Sequence, residues 1–126
     1  MVLYPAPASL ATTKKAARVP NPFVWAVENT SATFTCESGG EPLTSCLWVW
    51  NARGQRKVII VDGECIIQQG GALEEGTFSA LGGFGSGRCS MKIEFSSVEH
   101  TGPWSCTLLS HTGEIFTGEV NVKGKF

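Results

Sequence analysis

Charge is scarce in this chain: of 126 residues, 17% are charged, and ten Lys and Arg against eleven Asp and Glu leave a formal net charge of −1. A nucleic-acid binder concentrates basic residues against phosphates, and no such footprint is present. The same shortage removes the polybasic stripe that an anionic membrane attracts, so no direct membrane insertion is expected. Long apolar runs are missing too, and nothing approaches the length a bilayer-crossing helix requires. Histidine is limited to His100 and His111, and neither stands beside a cysteine. The cysteines lack the close-spaced pairs that build zinc sites. No metal or other cofactor is expected.

What is present is 42% apolar residues and 15 Gly, in a length that suits one domain. The composition describes a soluble globular domain rich in strands and turns. Five cysteines stand at positions 36, 46, 65, 89 and 106, and without zinc spacing they read as a disulfide framework. Five is odd, so at least one is free or intermolecular. Asn29-Thr30-Ser31 is an N-glycosylation acceptor triplet and supports a secreted context. The start, Met1 to Pro5, has no positive n-region and its apolar stretch is broken by Pro5 and Pro7, so it does not read as a signal peptide. An extracellular reading therefore expects a mature fragment of a longer precursor.

Residues 1–22 read as an extended arm or linker, because Pro5, Pro7, Pro20 and Pro22 bracket an Ala/Ser/Thr/Lys stretch. From Phe23 the pattern turns to period two. Phe23, Trp25 and Val27 share one face; Ala32, Phe34 and Cys36 alternate with Thr33, Thr35 and Glu37; Cys46, Trp48 and Trp50 oppose Leu47 and Val49. Strand-like runs follow at 57–61, 65–68, 89–95, 104–108 and 115–122, with turns at Gly39–Pro42, Asn51–Gly54 and Asp62-Gly63. Seven to nine short strands without a helix predict an antiparallel β-sandwich or barrel.

The residues that fix a more specific expectation are Cys36, Trp48 twelve positions on, and Cys106 at the end of Val98-Glu99-His100-Thr101-Gly102-Pro103-Trp104-Ser105-Cys106. This constellation resembles the immunoglobulin superfamily, with variable or intermediate-set spacing, over about residues 23–124. Together with Cys46-Leu47-Trp48 and the run Gly85-Ser86-Gly87-Arg88-Cys89-Ser90-Met91-Lys92-Ile93, it is similar to single immunoglobulin domains of arthropod cell-surface and secreted proteins. The resemblance implies an all-β, immunoglobulin-like antiparallel sandwich of about seven to nine strands, with a Cys36–Cys106 bridge between sheets and Trp48 and Trp104 in the core. A second bridge, Cys46–Cys89, is expected because both residues share inward parity with their neighbours Trp48 and Met91. Cys65 is then the free or interchain thiol. The chain departs from the family at three places. His100 occupies the usual Asp position, Trp104 replaces the corner Tyr, and no Phe-Gly-x-Gly bulge follows Cys106.

Chemical alternatives find little support. Leu81-Gly82-Gly83-Phe84-Gly85-Ser86-Gly87 lacks the sixth-place Gly of a dinucleotide fingerprint and the Gly-Lys-Ser/Thr of a phosphate loop. His100 and His111 are expected in exposed loops, and Cys65 with either His has no orienting partner. Glu74-Glu75 and Glu64 read as solvated loop charges. Catalysis is not expected. The resemblance implies an extracellular or cell-surface recognition module for adhesion, receptor function or immune recognition. Such a module binds another protein without covalent chemistry, homophilically, a homodimer included, or heterophilically. The candidate contact surfaces are the loop 39–45, the turn 51–56, the Gly-rich segment 70–88 and the tip 110–113. Within them stand Phe78, Leu81, Phe84, Arg88 and His111, the three apolar residues either anchoring a partner or tucking over the core. Alternatives are a secreted carrier for a small hydrophobic ligand or foreign effector, and a matrix component cross-linked through Cys65.

Overall fold

The computed structural model describes residues 14–50, 56–61, 64–69, 78–94 and 100–125; of 56–61 and 64–69 it describes the backbone. Among these residues ten strands form two layers. They are β1 (Lys14–Ala16), β2 (Phe23–Val27), β3 (Ala32–Glu37), β4 (Leu43–Trp50), β5 (Arg56–Val61), β6 (Glu64–Gln69), β7 (Phe78–Ala80), β8 (Arg88–Ile93), β9 (Gly102–Ser110) and β10 (Ile115–Lys125). The larger sheet runs β1-β10-β9-β4-β5-β6, with β2 also paired to β10; the smaller runs β3-β8-β7. This is the all-β sandwich that the alternation implied, and both expected disulfides join its layers. Among the described residues the helical content is 3-10 only, at Phe84–Ser86 and at His100.

Parity explains each layer. On β3, Ala32, Phe34 and Cys36 are buried; on β9, Trp104, Cys106, Leu108 and Ser110 are; on β10, Phe116, Val120 and Val122 are. β4 changes parity along its length. Leu43 is buried at an odd position, while Cys46, Trp48 and Trp50 are buried at even ones. The cause is a bulge between Leu43 and Ser45 in the pairing with β9, since one extra residue moves every later side chain to the opposite face.

The two disulfides act on one small region. Cys36 and Cys89 are direct neighbours in the β3–β8 register, and each bridges to a different strand of the facing sheet. Cys36 joins Cys106 on β9 with a Cα separation of 6.7 Å, and Cys89 joins Cys46 on β4 at 6.4 Å. Trp48 lies opposite Cys106, and its indole Nε1 donates to Cys89 Sγ at 3.3 Å. Phe34 meets Trp48 edge-on at 5.4 Å and Trp104 at 5.5 Å between ring centroids. With four cysteines paired, Cys65 has no cysteine left in its own chain; it stands opposite Ile60 in the β5–β6 register, and its thiol lies outside what is described.

The N-terminal arm is, from Lys14 onward, part of the sandwich. β1 pairs parallel with β10 at Ile115–Thr117, and β2 pairs parallel with it at Asn121–Lys125. Between them the chain crosses to the smaller sheet, where Arg18 and Glu37 exchange two backbone hydrogen bonds of 2.8 Å each. Pro20 and Pro22 stand at the return crossing, where a missing N–H is tolerated. Gly118 makes room for this strap. A Cβ there would stand 2.9 Å from Val19 Cγ2 and 3.3 Å from Cys106 Sγ. The first part of the arm, 1–13, is outside the described residues, as are the turns at 51–54 and 62–63 and the segment 70–77 with Glu74 and Glu75.

Candidate functional site

Two surfaces are built by this arrangement. The first is one end of the sandwich, where β3 finishes, β4, β8 and β10 begin, and β9 finishes. Three candidate loops meet there: 38–42, the Gly-rich turn 81–87, and the tip 110–114. Ser38 N donates to Gly87 O at 2.8 Å, and Ser38 Oγ donates to Glu41 O at 2.7 Å. His111 N donates to Pro42 O at 2.9 Å. Thr112 Oγ1 donates to Glu41 Oε1 at 2.9 Å, and Glu114 N donates to Ser110 Oγ at 3.0 Å. From the arm, Lys15 Nζ pairs with Glu114 Oε2 at 2.6 Å.

That network shifts two titrations. Glu114 raises the Lys15 pKa, first by hydrogen bonding and then by charge. The Glu41 carboxyl is held below its usual range by side-chain hydrogen bonding with Glu114 and then by the donating hydroxyl of Thr112. These groups are solvent-exposed, so the network orders the loops rather than storing much stability.

Gly87 is the closest-packed point of this end. Its φ is +82°, and a Cβ there would meet Ser38 Oγ, lie 2.8 Å from Glu41 O and 3.0 Å from Gly40 N. Gly87→Ala is therefore expected to cost about 3 kcal/mol from backbone strain and overpacking together. A urea melt checks this, and a loss under about 1 kcal/mol would contradict the packing.

The contact residues expected from sequence separate into three groups. Phe78 is buried, with its ring 6.0 Å from Trp104 and 5.8 Å from His100 between centroids. Phe84 is half-buried and packs against the core. Both are tucked, and neither presents a ring to a partner. Leu81 is 52% exposed, Arg88 is exposed with Nε 3.8 Å from Glu37 Oε2, and His111 is exposed with Nδ1 3.3 Å from Pro42 O. These three share the loop end. The candidate turn 51–56 lies, through residue 55, outside the described residues.

His100 corrects an expectation. It is buried and not solvated, because the Phe78 ring packs edge-on against its imidazole. Its carbonyl accepts a 2.9 Å hydrogen bond from Trp104 Nε1. Trp104 thus both fills the core and caps a carbonyl four residues upstream. After Gly87 the chain enters strand β8, so no helix follows the Gly-rich run. Among the described residues, no three His, Cys, Asp or Glu side chains gather as metal ligands.

The second surface is the outer face of the larger sheet, which was not singled out from sequence. Register places Ser45, Leu109 and Ile115 in one cross-strand row, Leu47, Thr107 and Thr117 in the next, and Val49, Ser105 and Glu119 in the third. On β4, β9 and β10 these rows carry one charge, Glu119, and at their ends the register adds Lys14 opposite Ile115 and Lys57 opposite Val49. A sheet face turned to solvent ordinarily alternates to polar and charged residues. At its edge, Phe23, Trp25 and Val27 are 61%, 57% and 44% exposed, and Leu109 is 38% exposed. Lys123 Nζ stands 5.1 Å over the Phe23 ring, a cation–π contact. Period two placed Phe23, Trp25 and Val27 on one face but not on the outer one. Val24 and Ala26 are also apolar, so only the pairing of Ala26 and Val24 with inward β10 positions decides.

No family model matches the chain, and no curated protein matches it.

Proposed function

We propose that this chain is an extracellular recognition module of the immunoglobulin superfamily, acting by non-covalent protein–protein contact. Several features support the family. The larger sheet contains two added strands, β5 and β6, beside β4, as variable-type domains add two strands to the same sheet. The inter-sheet Cys36–Cys106 bridge lies beside Trp48, and Trp104 occupies the corner before the second cysteine. Two internal disulfides suit an oxidising compartment.

The observation that carries the binding role is the outer face of the larger sheet: Leu47, Val49, Leu109 and Ile115 set among Ser45, Ser105, Thr107 and Thr117. A central patch of apolar anchors among Ser and Thr, with charges at its ends, suits the centre of a protein interface, where charged residues are depleted. The loop end carrying Leu81, Arg88 and His111 adjoins this face at the β9–β10 tip and supplies a polar rim.

The test is a panel of extracellular ectodomains, with this chain included, probed by the multimerised domain. Leu109→Glu is expected to weaken binding at least tenfold with an unchanged melting temperature, because it sets a charge in a desolvated contact. His111→Ala, at the rim, is expected to change it less than threefold. Binding indifferent to both Leu109→Glu and Thr107→Arg overturns the assignment to this face. Absence of any partner, self included, overturns the recognition reading.

A further inference from the structure

The charges that end the outer rows of the larger sheet are arranged with opposite signs. Across six strands the first row reads Lys14, Ile115, Leu109, Ser45, Val61 and Glu64, with a cation at one end and an anion at the other. The third row reads Glu119, Ser105, Val49 and Lys57, with the signs reversed. Between them Thr117, Thr107, Leu47 and Ile59 carry no charge. Residue size alternates across the central pair of strands as well. Leu109 stands beside Ser45, Leu47 beside Thr107, and Val49 beside Ser105. A patch in which each charged row ends in opposite signs is one that its own copy can match, as a two-fold interface requires.

We propose that this face binds a second copy of the chain, the two sheets stacked about a two-fold axis that runs along the strands between β4 and β9. A sheet face can meet its own copy about an axis along the strands or about one across them. The axis along the strands keeps each row and reverses the strand order. Glu119 then comes over Lys57 of the second copy, and Lys14 over Glu64 of the second copy, each pair occurring twice by symmetry. In the middle, Leu109 comes over Ser45, Leu47 over Thr107 and Val49 over Ser105 of the second copy, so each large apolar residue meets a smaller one. The axis across the strands keeps each strand and reverses the rows. Glu119 then lies over Ile115, and Lys57 over Val61, which strips water from charges without pairing them. Electrostatics therefore select the axis along the strands. Stacked sheets align within about 30°. At a strand spacing of about 4.8 Å that angle offsets β10 from β5 of the second copy by roughly 4 Å, which Lys and Glu side chains can span. The apolar centre supplies the attraction, and the end charges set the register. Three rows across six strands cover roughly 500 Å² per copy, at the small end of specific interfaces, where pairing is reversible.

This inference rests on the assignment of binding to the outer face, and the experiment separates their failures. The full chain is alkylated so that Cys65 cannot link two copies. It is then followed by sedimentation equilibrium from about 1 μM to about 1 mM, the range of a weak reversible contact. Glu119→Lys, Lys57→Glu and Leu109→Glu are run beside it, each with a thermal melt to show that it is folded. The wild type is expected to dimerise, and each of the three variants to dimerise about tenfold more weakly or less. An equimolar mixture of Glu119→Lys with Lys57→Glu is expected to dimerise as the wild type does. In that mixed pair the two reversed charges face each other, and the unchanged Lys57 of one variant faces the unchanged Glu119 of the other. A wild type that stays monomeric throughout overturns self-pairing and leaves the face to a different protein. A dimer that Leu109→Glu breaks, but whose charge variants pair normally or whose mixture is not restored, overturns the axis along the strands and keeps the face. A dimer indifferent to all three variants overturns self-pairing through this face.

Discussion

Replacing Cys36 and Cys106 together by alanine is expected to lower the free energy of unfolding by about 4 kcal/mol. The bridge closes a sequence separation of 70 residues, and the chain-entropy relation gives about 4.4 kcal/mol for a loop of that length. The second bridge sits inside the first, with a separation of 43. While it remains closed, the outer bridge restrains only the remaining length, and the relation then gives about 3.5 kcal/mol. Loss of the buried sulfur contacts beside Trp48 and Gly118 restores part of the difference. In urea, the midpoint should fall and the m-value rise, because the unfolded chain becomes less compact.

The nested arrangement also sets what happens when both bridges go. Cys46 and Cys89 contribute about 4 kcal/mol by the same relation, so the four-alanine chain would lose most of the 5–15 kcal/mol typical of a small domain. It is expected to be largely unfolded at 37 °C by circular dichroism. A doubly substituted Cys36/Cys106 chain that loses under about 1 kcal/mol would contradict the restraint attributed to that bridge.

The resemblance implied Cys36–Cys106, and the second pairing was legible because it depends on parity. Cys46 shares a face with Trp48, and Cys89 with Met91, so both cysteines point into the core wherever the strands begin. The outer face was not legible for the complementary reason. Phe23-Val24-Trp25-Ala26-Val27 is apolar at every position, and period two cannot say which half of such a run is buried. The answer comes from the parallel pairing with Asn121–Lys125, a contact nearly a hundred residues away in sequence. The arm was misleading in the same way. Its prolines exclude a central strand, but an edge strand needs only alternate donors, and the space left by Gly118 under Val19 is invisible until β10 is set beside it. His100 was assigned to solvent because the expected fold places it in an exposed loop; Phe78, from a short strand of the other sheet, closes over it. Local pattern thus reported the strands and their inward cysteines. Tertiary pairing decided which of two apolar faces meets water.

Trp104→Ala is expected to cost about 5 kcal/mol, and Trp104→Phe about 2 kcal/mol. Trp104 is fully buried, with Phe34, Phe78 and Trp50 at centroid distances of 5.5, 6.0 and 6.5 Å. Truncating such a ring to alanine costs about 3–5 kcal/mol in lost transfer energy and residual cavity. The alanine variant also loses the 2.9 Å bond from Nε1 to the His100 carbonyl, and such a hydrogen bond contributes about 1 kcal/mol net. Phenylalanine keeps most of the ring contacts and loses the donor, so its cost isolates the hydrogen bond and a small cavity. The pair of variants apportions the corner between packing and hydrogen bonding. Equal losses for phenylalanine and alanine would assign the whole effect to the bond. A phenylalanine variant as stable as the wild type in urea would mean that the corner before Cys106 is held by the ring alone, and that the indole N–H contributes nothing to fixing the turn from which β9 enters the outer face.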